Sequence, residues 1–123
     1  MTGVQTCALP IFASIVKSVH VTGEESIAAA SAAARVADAV LLDTRTAERI
    51  GGTGKPHDWA ISARIAAASS RPVILAGGLT PENVADAIAH VHPFAVDVNS
   101  GTRGADGFKN HAKVLAFIAN ARA

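Results

Sequence analysis

No disulfide can form within this chain, because its 123 residues include a single cysteine, Cys7. That fits a reducing compartment. Tyrosine is missing altogether, and aromatic residues make up 4% of the whole. Charge of either sign is not in excess: the formal net charge is +1, and the basic residues are scattered. This excludes the concentrated basic footprint of a nucleic-acid surface. No apolar run approaches the ~20 residues of a membrane span, since the hydrophobic stretches are short and broken by charge. The histidines are dispersed too. His20, His90, His92 and His111 show no metal-ligand spacing and read as solvated or capping groups. The expected class is a soluble cytoplasmic protein without nucleic-acid, membrane or metal partners. The length suffices for one hydrophobic core and not for two.

What the chain does have is alanine, with hydrophobic residues reaching 50%, and glycine in clusters. The stretch "IGGTGKPHDW", residues 50–59, invites comparison with a nucleotide-phosphate loop. That loop requires G-x-x-x-x-G-K-[ST]. Counting back from Gly54-Lys55 puts Arg49 where the first glycine belongs, and Pro56 follows the lysine. Both fixed positions fail, so these glycines need another reason.

The first eleven residues, "MTGVQTCALPI", carry no charge, no periodicity and no turn grammar. They lack the basic and apolar regions of a signal peptide. Gly3 to Ile11 match the codons GGA-GTT-CAG-ACG-TGT-GCT-CTT-CCG-ATC, an in-frame reading of a common sequencing-adapter oligonucleotide. Residues 1–11 are therefore expected to be a non-native segment and residues 12–123 the domain proper, with its front missing. Cys7 is set aside with that segment.

From Phe12 onward, apolar runs alternate with Ala-rich helical patterns, the signal for βα units on a parallel sheet. Strands are predicted over "FASIVKSVHV" (12–21), "DAVLLD" (38–43), "PVILA" (72–76) and "PFAVDV" (93–98). Thr22 and Glu25 form a T-x-x-E capping box for a helix to about Ala37. Asp58 caps the next helix, whose apolar face is Trp59, Ile61 and Ile65. Thr80-Pro81-Glu82 opens a third helix to about His90. Asn110 caps the last, which is expected to bury Val114, Leu115 and Ile118. A complete (β/α)₈ barrel takes ~250 residues, so four units fit the C-terminal half of one. Its first and last strands would be open edges, available for self-association. A doubly wound open sheet is the structural alternative.

In a barrel, catalytic groups gather at the C-terminal ends of strands, and phosphate binds at the loops after strands seven and eight. With these units as strands five to eight, Gly77-Gly78 follows strand seven and Ser100-Gly101 follows strand eight. Glycines let backbone amides approach an anion closely. The plainer reading of Gly77-Gly78 is a tight strand-to-helix turn. Asp43 ends the strand Val40-Leu41-Leu42, where partial desolvation raises a carboxylate's pKa and suits a general acid. A loop-bonding aspartate is the alternative there. Asp97, placed inside the last strand, is disfavoured as structure and is a candidate for binding a substrate hydroxyl or holding the neighbouring loop.

Together, "LLDT" with "GGTGKPHDW", then "RPVILAGGLTPENVADAI", then "PFAVDVNSGTRGADGFKNHAKVLAFI" resemble the phosphoribosylanthranilate isomerase family. The resemblance runs from about residue 12 to residue 123. The family carries GGTG, an aromatic-Asp-Trp, LAGGL-x-P-x-NV and DVSSGVE. Here His57 replaces the aromatic, Asn99 the first serine, Thr102 the valine and Arg103 the glutamate. The resemblance implies a (β/α)₈ enzyme performing an Amadori rearrangement on a phosphosugar substrate, with no cofactor or metal. It assigns the acid role to Asp43 and phosphate binding to Gly77, Gly78, Ser100 and Gly101. It makes "GGTGKP" a mobile loop over the substrate. The family's base is a cysteine at the end of the first barrel strand, a position that Cys7 does not match, so the chain alone is expected to be inactive. Two other readings stay open: a paralogous barrel enzyme with another phosphosugar, and a non-catalytic half-barrel that binds phosphate.

Overall fold

The computed structural model describes residues 13–44 and 59–123. The segment 1–11, Cys7, and the loop carrying "GGTGKP", His57 and Asp58 lie outside the described residues. Four parallel strands, β1 (Val16–His20), β2 (Ala39–Asp43), β3 (Val73–Ala76) and β4 (Ala95–Val96), lie side by side in sequence order. Helices α1 (Glu25–Val36), α2 (Ala60–Ala68), α3 (Val84–Val91) and α4 (His111–Arg122) each touch the next in the same order. A doubly wound sheet reverses its strand order and covers both faces. Among the described residues the strand order does not reverse, and one face of β2 is only half-buried. On β2, Val40 and Leu42 are fully buried on one face, while Ala39, Leu41 and Asp43 on the other are only half-buried.

The aliphatic runs of β2 and β3 supply the centre of the core, where Leu42 and Leu75 are wholly excluded from solvent. Burying each is worth roughly 1.5–3 kcal/mol. Helix α1 contributes Ala30, Ala33 and Ala34 to the same core. Side chains this small let the helix axis sit close to β1 and β2, which explains the alanine richness without any ligand. On α2, Trp59 and Ile65 are buried and Ile61 is partly covered, as its spacing predicts. The Trp59 ring also meets His90, tilted at 44° with centroids 5.8 Å apart, and His90 Nδ1 lies 2.7 Å from the Asp86 carbonyl. His90 is thus a packing residue.

Local chemistry at the helix starts departs from expectation in one case. Thr22 does not cap α1 through a backbone amide; its hydroxyl donates to the Glu25 carboxylate at 2.6 Å. No side chain caps the helix start; buried Ser26 instead ties α1 to the chain before it, its Oγ accepting from the N–H groups of Thr22 and Gly23 and donating to the His20 carbonyl. At α3 the box is complete with asparagine in place of glutamate: Thr80 N–H donates to Asn83 Oδ1, and Asn83 N–H donates to Thr80 Oγ1. Asn110 caps α4 by accepting from Lys113 N–H, as the sequence predicts.

Two further expectations are corrected. The fourth strand has only two residues, so Asp97 lies just beyond it, with its N–H still donating to the Leu75 carbonyl at 2.9 Å. On α4 the buried residue is Phe117, whereas Leu115 is 55% and Ile118 43% exposed, and Val114 is half-buried. Only the face of α4 turned toward α3 and the preceding loop finds a partner. The exposed apolar residues gather at the two ends of the sheet: Ile15, Val16 and Val36 beside β1, and Phe94, Phe108, Leu115 and Ile118 around β4 and α4.

Replacing Ser26 with Ala should lower stability by about 1–3 kcal/mol, because two amides and a carbonyl lose their partner in a buried site. Thermal unfolding by circular dichroism checks this. Thr22→Val should act differently. The Thr22 hydroxyl and Glu25's own backbone hold the Glu25 carboxyl below the ordinary carboxylate range. That lowered value adds stability above the ordinary carboxylate pKa, and the gain is lost as pH falls through the lowered value. The valine variant should lose the larger part of that acid-limb dependence, the part owed to the Thr22 hydroxyl, and little else.

Candidate functional site

The C-terminal ends of β2, β3 and β4 open on one cleft of about 180 Å³. Its lining includes Asp43, Gly77, Gly78, Asp97, Ser100 and Gly101, together with Leu41 and Asn99. Every residue singled out in the sequence for chemistry therefore borders the same space. Two larger hollows lie elsewhere. One, of about 240 Å³, sits between α1 and α2 among alanines and serines, with Arg35 the sole charged residue. The other, of about 520 Å³, runs along the free side of β1 and is lined mostly by alanine and valine. Neither holds a carboxylate, whereas the cleft at the strand ends is bordered by Asp43 and Asp97.

Asp43 reaches the cleft because strand residues alternate in direction. Leu42 points into the core, so Leu41 and Asp43 share the opposite face. The Asp43 side chain is 23% exposed, and its Oδ2 lies 3.8 Å from Nδ1 of His20, the residue facing it across the β1–β2 ladder. The sequence reading left His20 as a solvated group. With 73% of its side chain exposed His20 is indeed solvated, and the parallel register also sets its imidazole beside the candidate acid.

Thr44 is a site residue that the sequence reading passed over. It is wholly buried. Its hydroxyl lies 2.9 Å from both the Ala76 and Gly77 carbonyls, and its N–H donates to Ala76 at 3.0 Å. This ties the chain just after the carboxylate to the glycine turn, so neither can shift without the other. The only sequence signal was position, a threonine next to the aspartate in "LLDT". Its acceptors lie more than thirty residues away.

The two glycine-bearing turns owe their glycines to different causes. Gly77 and Gly78 have φ of 89° and 71°, a left-handed region that costs an L-residue roughly 1–2 kcal/mol. A Cβ on Gly78 would meet nothing within 4 Å, so that residue faces open space. Asn83 Nδ2 donates to the Gly78 carbonyl at 3.0 Å and holds the turn from outside. Gly101 needs no special φ. A Cβ there would fall 1.9 Å from the Leu79 carbonyl oxygen. Gly101 is therefore what lets the loop after β4 lie against the loop after β3.

Ser100–Thr102 form a single 3₁₀ turn. The N–H groups that open such a turn have no partner inside it, and here they sit at the cleft. Thr102 is buried, with its hydroxyl donating to the Asn99 carbonyl at 3.1 Å. Chemically, the arrangement joins two carboxylates, Asp43 and Asp97, to the backbone amides of two glycine-bearing turns. Among the described residues, no group of three or more His, Cys, Asp or Glu is placed to hold a metal ion. Among the same residues, no helix is long and apolar enough to cross a membrane.

Gly101→Ala should separate the two turns, because a backbone carbonyl at 1.9 Å cannot yield as a side chain would. The expected loss is about 1–3 kcal/mol, the range of overpacking, accompanied by amide shift changes at both Gly78 and Thr102. Gly78→Ala should cost only the backbone strain.

A family model described as N-(5'phosphoribosyl)anthranilate (PRA) isomerase matches residues 4–120. The chain is 52% identical over 103 residues to N-(5'-phosphoribosyl)anthranilate isomerase of Pseudomonas fluorescens, covering 84% of this chain and 49% of that protein. The crystal structure of phosphoribosyl anthranilate isomerase from Thermotoga maritima superimposes with a TM-score of 0.78 at 37% identity, over 98% of this chain and 58% of that one. A crystal structure of phosphoribosyl anthranilate isomerase in complex with reduced 1-(o-carboxyphenylamino)-1-deoxyribulose 5-phosphate matches with a TM-score of 0.70 at 36% identity, over 87% and 47%. The chain spans about half the length of the curated relatives it matches. On its sequence, its parallel βα order and the match along residues 4–120, the chain belongs to the N-(5'-phosphoribosyl)anthranilate isomerase family.

Proposed function

We propose that this chain supplies the acid and phosphate portion of an isomerase site for N-(5'-phosphoribosyl)anthranilate, acting in tryptophan biosynthesis in the cytoplasm. The observation that carries the reading is the single cleft shared by Asp43 and the two glycine-bearing turns. In this reading the turns at Gly77-Gly78 and Ser100-Gly101 hold the 5'-phosphate, and Asp97 receives a sugar hydroxyl at the rim. Asp43 gives its proton to the furanose ring oxygen. The bond from C1' to that oxygen breaks, leaving a protonated imine and a free 4'-hydroxyl. A base then removes the C2' proton to form an enolamine, which becomes the 1-amino-1-deoxyketose by moving a proton to C1'. Atoms and electrons balance within the substrate, so the reaction calls for no redox partner or cofactor. The ligand of the related complex, a reduced carboxyphenylamino-deoxyribulose phosphate, has the carbon skeleton of this product.

In the same reading the four units correspond to strands five to eight of a (β/α)₈ barrel, and the base belongs to the portion the chain does not match. Half-length coverage of the relatives supports this. So does the half-buried face that carries Leu41 and Asp43, which in a closed barrel would point inward. Residues 1–11 are read as the adapter-derived segment on the codon match alone, and the family match begins inside it, at residue 4. The changes at Asn99, Thr102 and Arg103 keep a second reading in play, a paralogue acting on another phosphosugar.

Two experiments bear on these proposals. In a form extended to a complete barrel, Asp43→Asn should lower kcat for phosphoribosylanthranilate by a factor of ~10² to 10⁴, the usual contribution of a general acid. Unchanged turnover would remove Asp43 from the mechanism, and turnover of a different phosphosugar alone would favour the paralogue. Separately, light scattering on the 123-residue chain should give a mass above the monomer, because its apolar edge residues invite pairing. Deleting residues 1–11 should alter neither the mass nor the far-ultraviolet spectrum. A folded monomer would defeat the open-edge proposal, and unfolding on deletion would defeat the non-native assignment.

A further inference from the structure

Lys109 lies beside the cleft but takes no part in the reaction as written above. Residues 103 and 109 pair across an isolated antiparallel bridge, and the Gly104 N–H donates to the Phe108 carbonyl at 2.8 Å. This small loop returns the chain to the 3₁₀ turn, where the Asn110 N–H donates to the Thr102 carbonyl at 2.8 Å. From there Lys109 Nζ donates to the Asn99 carbonyl, to Asn99 Oδ1 at 3.2 Å and to Thr102 Oγ1 at 3.1 Å. The ammonium thus bridges the residue before the turn and the turn's last residue. Ser100 and Gly101 lie between them.

Two further points follow from these contacts. An ammonium has three protons to donate, and all three are directed at protein oxygens. Lys109 therefore has no donor left for a ligand and can act only by holding the turn and through its charge. Its three acceptors are neutral, and among the described residues its positive charge has no carboxylate partner. The departures from the family motif also converge here. The side chains of Asn99 and Thr102 supply two of the three acceptors and the Asn99 backbone the third, and valine, the family's residue at 102, would supply none. Arg103 stands where the family has a carboxylate, one residue from the turn. The three changes together trade an acidic side chain for neutral acceptors around one lysine.

We propose that Lys109 is a positioning residue for an anion-binding turn, clamping Asn99 to Thr102 so that the Ser100 and Gly101 backbone stays presented to a phosphate, with its charge adding to the attraction. This rests on the reading of the cleft as a phosphate site. The test uses the 123-residue chain, inorganic phosphate as probe, and amide hydrogen exchange. In Lys109→Met, the Thr102 and Arg103 amides should exchange about tenfold faster, the scale of one charge-assisted hydrogen bond, with Leu42 and Leu75 unchanged. Phosphate affinity should fall by a similar factor and lose part of its salt dependence. Lys109→Arg, which keeps the charge and several donors, should recover most of that affinity. Thr102→Val, which installs the family's own residue, provides the comparison should the methionine variant not fold; it should speed exchange of the turn amides in the same direction. Unaltered exchange and affinity in these variants would overturn the clamp. A wild-type chain that binds no phosphate, yet shows the exchange effect, would overturn the phosphate reading and leave the clamp as a purely structural tie.

Discussion

Asp43 stands opposite Ala76 in the β2–β3 ladder, and Thr44 extends that pairing by one residue with both its amide and its hydroxyl. The rest of the cleft depends on this junction. A parallel ladder aligns the C-terminal ends of neighbouring strands, so the groups that follow each strand emerge on one side. Thr44 turns that general alignment into a fixed distance between a carboxylate and a glycine turn. A threonine with no space around it and acceptors on two successive carbonyls has one workable rotamer, and the backbone on either side inherits that rigidity.

The second constraint is the contact between the loops after β3 and β4. Gly101 packs against the Leu79 carbonyl so closely that no side chain fits between them, and Asn83 holds the Gly78 carbonyl from the opposite direction. The two turns therefore form one surface rather than two independent loops. That matters for anion binding, since several backbone dipoles must point at one place before an anion gains from them. Lys109 completes the arrangement from below, where its ammonium meets Asn99 and Thr102. Three departures from the family motif, at Asn99, Thr102 and Arg103, share this one neighbour.

The apolar residues left exposed at both ends of the sheet belong to the same account. Ile15, Val16 and Val36 lie at one end, and Phe94, Phe108, Leu115 and Ile118 at the other; in the proposed barrel a closed ring of βα units would cover them. Phe117 is the exception on α4 because α3 and the 3₁₀ turn lie on its side. Helical spacing places Val114, Leu115 and Ile118 on an apolar stripe correctly. It cannot tell which part of that stripe meets a partner, because that depends on elements far away in the chain.

The amino-acid sequence by itself determined the alternation of strand and helix, the caps at Thr80 and Asn110, and the positions where strand ends carry an aspartate or paired glycines. These are local matters of periodicity, side-chain hydrogen bonding and backbone freedom, readable within a few residues. Tertiary structure alone decided the others. It tied the start of α1 to the end of β1 through Ser26, because the His20 carbonyl arrives there from the preceding strand. It shortened the last strand so that Asp97 falls beyond it, and it set His20 beside Asp43 through the ladder register. It also showed that Gly101 is required by a neighbouring backbone rather than by its own torsion. Each of these depends on a group contributed from another element, at a distance along the chain that no local pattern encodes.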